Sequence, residues 1–453
     1  MADVVVVGGG LAGISAALRL ADEGARVTLL EARTRLGGMA SSFRRGELSV
    51  DNGQHVFLRC CSAYRGFLQR IGGTAQTVLQ PHLDIRVLRP DGRSARLRRT
   101  PGLPAPSHLT MTLATYPLLS PLDRLRAVRG ALALRMLDPD DSTLDMHTLG
   151  DYLRRHGQTT ATVDALWAVL AVATLNIDPD DASLALAAKV FRTGVLDRAD
   201  AGDVGYADAP LGELHSTLAQ RALAAAGVMV CLRHHVESVG QDGRVSVRHG
   251  QDRHVVQARD VVLAVPPRVA FAVAPELAGT DVAGARDLQT SPIVNVHVIY
   301  DRRVTDLDFA AGVDSPVQWF FDRTSTSGLT SSRPGAQYLA VTVSAAVDLI
   351  DVPAPRIIER FVPELARLLP GARDAEVLDA FVTRERHATF RQAAGTAALR
   401  PGTESGLNGV WLAGSWTATG WPDTMEGAVR SGIRAADAAL RVASQRDVSR
   451  CSA

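Results

Sequence analysis

The sequence predicts an α/β protein: a Rossmann-type domain that is discontinuous along the chain, with an inserted α+β domain that contains a helical subdomain. Two observations predict this fold. The chain opens with a strand, a glycine turn, a helix and a second strand, which is the start of a doubly wound parallel sheet. Apolar strands at residues 260–265 and 410–413 follow long intervening segments, and we assign both to later segments of the same discontinuous domain.

The opening residues justify the first strand and helix. Residues 4–7 are four consecutive valines, typical of a strand buried on both faces. The turn at residues 8–13 reads GGGLAG, and an apolar stripe at helical spacing follows as far as Gly24. Unpaired amides at a helix N-terminus favour a phosphate, so the predicted cofactor-binding residues here are Gly8, Gly10, Leu11, Ala12 and Gly13. Glu31 ends the second strand and is placed to accept hydrogen bonds from a ribose. Together these features predict a dinucleotide site.

A second glycine pair follows Glu31, in the sequence EARTRLGGM at residues 31–39. This segment resembles the signature of the FAD enzymes that include amine oxidases and phytoene desaturases. The resemblance implies FAD as the cofactor, with the segment running along the pyrophosphate and the flavin edge. The cofactor contacts that it implies are Ala32, Arg33, Gly37, Gly38 and Met39.

Two further motifs narrow the resemblance. Residues 51–55 read DNGQH, and residues 419–432 read TGWPDTMEGAVRSG. Both are similar to hydroxysqualene dehydroxylases, the squalene-associated branch of this flavoenzyme superfamily, and the resemblance covers nearly the whole chain. It implies FAD-dependent reduction of hydroxysqualene, an apolar isoprenoid, to squalene in hopanoid or related triterpene synthesis. It also implies cofactor contacts at Val236, Gly414, Ser415, Thr424 and Met425, although Ser415 stands where the superfamily often has a carboxylate.

Loss of an allylic hydroxyl group needs an acid. His55 is the first candidate, because it follows the glycine turn nearest the expected flavin, and a structural histidine is the alternative. Asp423 is the second candidate, with Glu426 as a further one. Asp423 also suits the N-terminus of a helix that we expect to hold Pro422 in its first turn. Trp416 and Trp421 are predicted to wall the substrate pocket, with plain packing as the alternative.

Composition limits the partners. Lys+Arg number 49 against 48 Asp+Glu, and the net charge of +1 argues against a nucleic-acid binder. We expect no metal site. We expect no signal peptide, because the N-terminus has no basic region. The four cysteines form no CxxC pair and no disulfide framework, which favours a reducing, cytoplasmic location. Residues 109–137 combine an apolar segment with a basic amphipathic helix, which predicts either peripheral contact with the inner face of the cell membrane or an ordinary packed helix. The sequence does not identify an electron donor.

The domain prediction assigns residues 1–80, 204–285 and 385–445 to the FAD-binding domain. Residues 81–203 and 286–384 form the substrate domain, and residues 446–453 form a flexible tail. Two other functions stay open at this point. A carotenoid-type desaturase or a flavin amine oxidase has the same fold, and a prenyl-lipid-binding escort protein has it without redox chemistry.

Overall fold

The computed structural model describes residues 2–451, with side chains described for residues 3–446. The strands are β1 (Ala2–Val7), β2 (Val27–Glu31), β3 (Ser42–Arg45), β4 (Leu48–Asp51), β5 (Val56–Leu58), β6 (Thr77–Leu79), β7 (Asp84–Leu88), β8 (Ser94–Arg98), β9 (Val204–Ala207), β10 (Met229–Leu232), β11 (His234–Val239), β12 (Arg244–His249), β13 (Asp252–Leu263), β14 (Thr290–Tyr300), β15 (Phe309–Gly312), β16 (Trp319–Asp322), β17 (Gln337–Val343), β18 (Val377–Phe390) and β19 (Val410–Leu412).

The helices are α1 (Leu11–Asp22), α2 (Ser62–Arg70), α3 (Thr110–Thr115), α4 (Pro121–Met136), α5 (Leu149–Arg155), α6 (Thr160–Thr162), α7 (Ala168–Leu175), α8 (Leu184–Phe191), α9 (Ala219–Ala225), α10 (Pro267–Val273), α11 (Thr324–Ser327), α12 (Leu329–Ser332), α13 (Ala354–Leu368) and α14 (Met425–Cys451). Within the described residues, no helix is both long and apolar enough to cross a membrane.

The first sheet is the predicted Rossmann-type sheet. Strands β10, β2, β1 and β13 lie side by side and run parallel, and β19 pairs in parallel with the second half of β13. The first half of β13 instead pairs antiparallel with β12, which pairs with β11. The helices α1 and α14 pack against each other, and a Cβ on Gly432 would lie 2.0 Å from the carbonyl oxygen of Ala12. The predicted fold class is confirmed.

The second sheet belongs to the inserted region and has the order β18-β14-β17-β16-β15-β7-β8. Residues 110–196 between β8 and β9 are largely helical. The strand β18 continues to Phe390, so residue 385, where the last segment of the FAD-binding domain is predicted to begin, lies inside a strand. The reason is the long pairing with β14, which extends to Thr290 opposite Phe390 and keeps the chain extended.

A buried ion pair joins the two regions. Arg323, next to β16, donates to the Asp51 carboxylate at 2.7 Å, and both side chains are almost fully buried. Asp51 also accepts from the Ser42 hydroxyl and from the Leu211 amide. From its place before the glycine of DNGQH, Asp51 is expected to support that turn, and the structure shows that it also links elements of both regions.

The predicted tail, residues 446–453, begins within the last helix. The helix α14 continues to Cys451, while residues 452 and 453 lie outside the described residues. Arg446 holds this part of the helix, because its guanidinium lies 3.3 Å from the carboxylate of Asp260 and 3.1 Å from Asn408 Oδ1.

Candidate functional site

The N-terminus of α1 points at the place where a dinucleotide phosphate is expected. Gly10 is the N-cap of α1, and neither a side-chain cap nor an acidic residue in the first turn occupies the free amides there. Leu11, Ala12 and Gly13 are buried at this end. A Cβ on Gly13 would lie only 1.8 Å from the Gly8 carbonyl oxygen, so the turn and the helix fit together only with glycine. The uncapped N-terminus suits an anionic group.

Glu31 lies directly beside this turn. Its Oε2 accepts from the Gly9 amide at 2.6 Å, and its Oε1 accepts from the Arg33 amide at 2.7 Å. Each carboxylate oxygen has further acceptor capacity. Glu31 therefore holds the glycine turn and still presents acceptor sites of the kind that a ribose hydroxyl needs.

The second glycine pair contacts the first. The Gly37 amide donates to the Gly9 carbonyl at 2.8 Å. Gly38 has φ = +57°, and a Cβ on it would lie 3.0 Å from Gly10 Cα. Only glycine combines this conformation with so close an approach. The structure thus brings residues 37–38 against the glycine turn at residues 8–10, and the cofactor contacts of both segments stay predictions.

Two side-chain nitrogens near these motifs are buried and have no hydrogen-bond partner among the described residues. They are Nε of Arg35 and Nε2 of Gln54. A buried donor without an acceptor is costly, so each is a place where a bound group with acceptor oxygens fits. Arg35 lies between Glu31 and the second glycine pair, and Gln54 belongs to DNGQH. This observation and the uncapped α1 fit the predicted FAD. Of the other predicted contacts, Ala32 and Arg33 are exposed and Met39 is half-buried.

The family resemblance implies that the segment around Val236 contacts the adenine side of the cofactor, and this segment follows a strand that lies next to β2. β10 pairs with β2 in a register that sets Leu232 opposite Glu31. The amide of Arg233 then donates to the Arg33 carbonyl at 3.0 Å. Val236 follows three residues later on β11 and is half-buried. Its role as an adenine contact stays a prediction.

Arg400 organises the segment between β19 and α14, residues 413–424, which we call the closing loop. Its buried guanidinium donates to the carbonyls of Ser415 at 3.0 Å, Thr417 at 2.6 Å and Trp421 at 2.9 Å. It also lies over the Phe390 ring, 4.8 Å from the centroid. Burial lowers the pKa of Arg400 to about 10, so it stays charged at neutral pH. One side chain thereby fixes the loop between β19 and α14.

The start of α14 differs from the prediction. The helix begins at Met425, so Pro422 and Asp423 precede it rather than forming its first turn. Thr424 is the residue that caps the helix, since its Oγ1 accepts from the Gly427 amide at 3.2 Å. Capping by a threonine hydroxyl explains why the helix starts there. Thr424 and Met425 lie at the N-terminus of α14, and their cofactor contacts stay predictions.

Asp423 lies half-buried in the closing loop, next to β18. Its Oδ2 accepts from the Phe390 amide at 2.8 Å, and its own amide donates to Gln392 Oε1 at 2.9 Å. Burial raises the pKa of Asp423, and a hydrogen bond with the Ser415 side chain opposes that rise. Ser415 occupies the position where the superfamily often has a carboxylate, and it contacts the carboxylate of Asp423 instead.

Glu426 has a structural role. Its buried carboxylate accepts from the amides of Ala63 at 3.1 Å and Tyr64 at 2.7 Å, at the N-terminus of α2, and from Arg430 at 2.7 Å. These contacts account for Glu426 as a helix cap across two elements, so it is no longer a candidate acid.

His55 folds back on the turn of the DNGQH motif to which it belongs. Its Nδ1 is 3.0 Å from the Gly53 carbonyl, which can only accept, so Nδ1 carries the proton. Burial lowers the pKa of His55. The neutral ring then presents Nε2 as an acceptor rather than as a donor. Asn295 donates to the Asn52 carbonyl at 3.1 Å, so the second sheet meets the DNGQH turn.

The two predicted pocket tryptophans lie in different surroundings. Trp416 packs in the core, its indole N–H donates to the Val265 carbonyl at 3.0 Å, and its ring lies over Gly414. These are the contacts of a packed core residue, and a place for Trp416 in the pocket wall stays a prediction. Trp421 is half-buried beneath Arg430, whose guanidinium is 4.9 Å from the ring centroid. Its place in a pocket wall stays a prediction.

Three residues of the site were absent from the sequence prediction: Arg400, Arg323 and His215. His215 lies behind the turn at residues 37–40, with Nδ1 2.8 Å from the Ala40 carbonyl and Nε2 2.8 Å from the Tyr64 hydroxyl. The carbonyl accepts, so Nδ1 carries the proton and Nε2 accepts from tyrosine. The sequence PLGEL at residues 210–214, just before His215, was the one signal that marked this region.

Comparison with known proteins gives three results. The family model for flavin-containing amine oxidoreductases matches residues 11–440. Hydroxysqualene dehydroxylase from Rhodopseudomonas palustris is 30% identical, covering 96% of this chain and 98% of that protein. The enzyme of the same name from Sinorhizobium fredii is 28% identical, covering 97% of this chain and 98% of that one.

More distant proteins share the fold. The zeta-carotene desaturase from Arabidopsis thaliana is 24% identical, covering 95% of this chain and 84% of that protein. A solved structure of a putrescine oxidase variant has a TM-score of 0.71 at 18% identity, covering 97% of this chain and 99% of the other. At that identity the likeness concerns the fold alone.

Proposed function

Because the chain belongs to the family of flavin-containing amine oxidoreductases, and is therefore an FAD-dependent oxidoreductase, we propose that it reduces hydroxysqualene to squalene. One observation carries the proposal: the similarity to proteins named hydroxysqualene dehydroxylase extends over nearly the full length of both chains. The motifs DNGQH and TGWPDTMEGAVRSG support it, as does the squalene-associated resemblance that they carry. We propose a role in hopanoid or related triterpene synthesis on the same ground.

The proposed reaction is a reductive removal of a hydroxyl group. The allylic carbon–oxygen bond breaks, the oxygen leaves as water after taking up a proton, and a carbon–hydrogen bond forms. Two electrons and two protons enter for each squalene released. When bound in its reduced form, FAD supplies the hydride. The protein must hold the apolar chain, deliver the other proton and keep bulk water from the cationic carbon.

We propose Asp423 as the residue that delivers the proton to the leaving hydroxyl group. Burial raises its pKa, which favours the protonated form that an acid needs. His55 is less suited, because its protonated Nδ1 faces the Gly53 carbonyl and burial lowers its pKa. A neutral His55 with Nε2 as an acceptor is suited to orient the substrate hydroxyl group instead. The first candidate from the sequence thus gives way to the second.

A carotenoid-type desaturase is the second candidate function. The observation that favours it is the similarity to zeta-carotene desaturases at 24–25% identity over 95–96% of this chain. Such an enzyme removes hydrogen from an isoprenoid, whereas the proposed reaction adds it. An amine oxidase has support only from the fold. An escort protein without redox chemistry is excluded, since the chain is an oxidoreductase.

Product analysis tests the proposed function. Purified FAD-loaded protein, reduced with dithionite without oxygen, is incubated with hydroxysqualene, and the products are identified by mass spectrometry. We expect squalene in proportion to the protein added. The oxidised protein is incubated in parallel with phytoene and with zeta-carotene. Desaturation of either carotenoid, with hydroxysqualene unchanged, overturns the proposal in favour of the second function.

The acid assignment has its own test. We expect Asp423→Asn to lower the turnover of hydroxysqualene by about 10²- to 10⁴-fold, the range of a general acid. In the unaltered protein the rate falls as the pH rises through the raised pKa of Asp423, because only the protonated form acts; Asp423→Asn removes this limb. His55→Gln keeps the limb and mainly raises KM. An unchanged pH profile in Asp423→Asn, with the limb lost in His55→Gln, reverses the assignment.

A further inference from the structure

The helix α4 (Pro121–Met136) exposes its large apolar side chains. The face that packs on the protein consists of Ala127, Gly130 and Leu134. The opposite face forms a continuous ridge at helical spacing, whose members are Leu122 (56% exposed), Leu125 (69%), Val128 (39%), Leu132 (50%) and Met136 (84%). A surface helix normally shows the reverse arrangement, with large apolar side chains inward. The preceding helix α3 adds Met111, which is 57% exposed.

Unpaired positive charge accompanies this ridge. Arg129 and Arg135 have no hydrogen-bond or ion-pair partner within the part of the chain that the structure describes, and Arg129 is exposed. Arg126 is paired with Asp123 at 2.9 Å. Asp123 also binds Ser120 and Thr159, so its charge is compensated. The exposed face of α4 therefore carries apolar side chains together with two free cations.

We infer that the ridge of α4, together with Met111 of α3, docks on the surface of an anionic phospholipid bilayer. The ridge consists of Leu122, Leu125, Val128, Leu132 and Met136. The apolar side chains enter the boundary between headgroups and acyl chains, and Arg129 and Arg135 bind lipid phosphates. A second copy of this chain fits less well. A symmetric pairing of two ridges brings the unpaired arginines of both copies together, which costs free energy. The bilayer supplies the opposite charge.

The docking gives the protein access to an apolar substrate. This consequence rests on the proposed function, because an isoprenoid of this kind is dissolved in the bilayer rather than in water. Binding to the membrane does not rest on it, since the ridge and the two arginines are properties of the surface. Membrane binding and turnover are therefore measured separately.

Vesicle flotation of the full FAD-loaded protein tests the docking. The vesicles consist of phosphatidylcholine alone or of phosphatidylcholine with phosphatidylglycerol as the anionic lipid. We expect binding to the anionic vesicles that weakens at high salt. Leu125→Ser combined with Leu132→Ser lowers the partition coefficient at least about 10-fold on burial grounds. Arg129→Gln combined with Arg135→Gln lowers it about 10- to 30-fold on anionic vesicles only.

The control pair is Val255→Ser combined with Val347→Ser, two exposed apolar residues (48% and 65%) outside the ridge, and it binds as the unaltered protein does. Equal flotation of the Leu125/Leu132 pair and the unaltered protein overturns the proposal. A dimer in sedimentation that this pair dissociates, without vesicle binding, also overturns it and assigns the ridge to a second copy.

Turnover separates this inference from the proposed function. With hydroxysqualene in detergent, the ridge variants work at the unaltered rate, and with hydroxysqualene in anionic vesicles they are slower. If the protein floats with vesicles and forms no squalene in either medium, the docking stands and the proposed function fails.

Discussion

Arg400 is the residue on which the closing loop most depends. Its guanidinium binds backbone carbonyls on both sides of the TGW turn and is itself buried against Phe390. Without it, these carbonyls lose a charged donor in a buried place, and the loop loses its fixed shape. Because this loop leads into the α14 N-terminus that we expect to face the flavin, its disorder weakens cofactor binding.

We therefore expect Arg400→Gln to raise the Kd for FAD at least about 10-fold, as expected for a buried charged donor. The measurement is a titration of flavin-free protein with FAD, followed by visible absorption. Arg434→Gln is the matched control, because Arg434 donates a single exposed hydrogen bond to Ala418 of the same loop. We expect less than about a threefold change for it. Equal effects of the two variants contradict the role assigned to Arg400.

Single residues also show what the sequence can predict. The glycines and Glu31 were predictable because a motif of fixed spacing sets them on one turn. Arg323 was not predictable, because its partners Asp51 and Ala207 lie far away in the sequence. Arg400 was not predictable either, because it binds backbone carbonyls, which any residue type can supply. The role of Trp416 stayed open between pocket wall and packing, because an aromatic residue near a motif has the same sequence pattern in both cases. The structure shows that its indole is buried.

The contact between α14 and α2 is a helix cap supplied from another helix. The N-cap of α2, Cys61, has no side-chain cap bond of its own, and the Glu426 carboxylate takes the amides of Ala63 and Tyr64 instead. The sequence MEGAVRSG predicted the helix α14, but it did not predict this partner. Spacing along one chain segment carries no information about which distant amides a carboxylate meets. The same holds for the start of α14, which depends on Thr424 rather than on Pro422.

We expect Glu426→Ala to lower the free energy of unfolding by about 3 kcal/mol, because it removes a buried carboxylate that accepts from two amides of α2 and from the half-buried Arg430. Glu426→Gln falls between, since one amide oxygen still accepts. Thermal unfolding followed by circular dichroism measures both. Glu23→Ala is the control: it breaks the exposed pair with Arg19 (49% exposed at Glu23) and changes stability by at most about 0.5 kcal/mol. A loss no larger than that of the control shows that the cap is dispensable.

The molecule as a whole carries a buried neutral histidine in each of its two regions. His215 lies behind the glycine turn of the first region, and burial lowers its pKa to about 4. His297 lies on β14 of the second sheet between Tyr338 and Thr383, and burial lowers its pKa to about 3. An unfolded histidine takes up a proton near pH 6.5. Below that pH the unfolded chain binds protons at these two histidines and the folded protein does not. The free energy of unfolding therefore falls as the pH is lowered.

Between pH 7 and pH 5 each of these histidines is expected to remove about 2 kcal/mol from the free energy of unfolding, since the unfolded state alone titrates in this range. The unaltered protein should therefore melt at a clearly lower temperature at pH 5 than at pH 7. His215→Gln and His297→Gln should each reduce this difference by a similar share, whatever they do to stability at pH 7. His249→Gln, at an exposed histidine, should leave the difference unchanged. Equal melting temperatures at the two pH values, or a difference that neither substitution reduces, contradict the account. The two histidines lie in different regions of the protein. If only one region loses stability at pH 5, the loss is assigned to the histidine in that region.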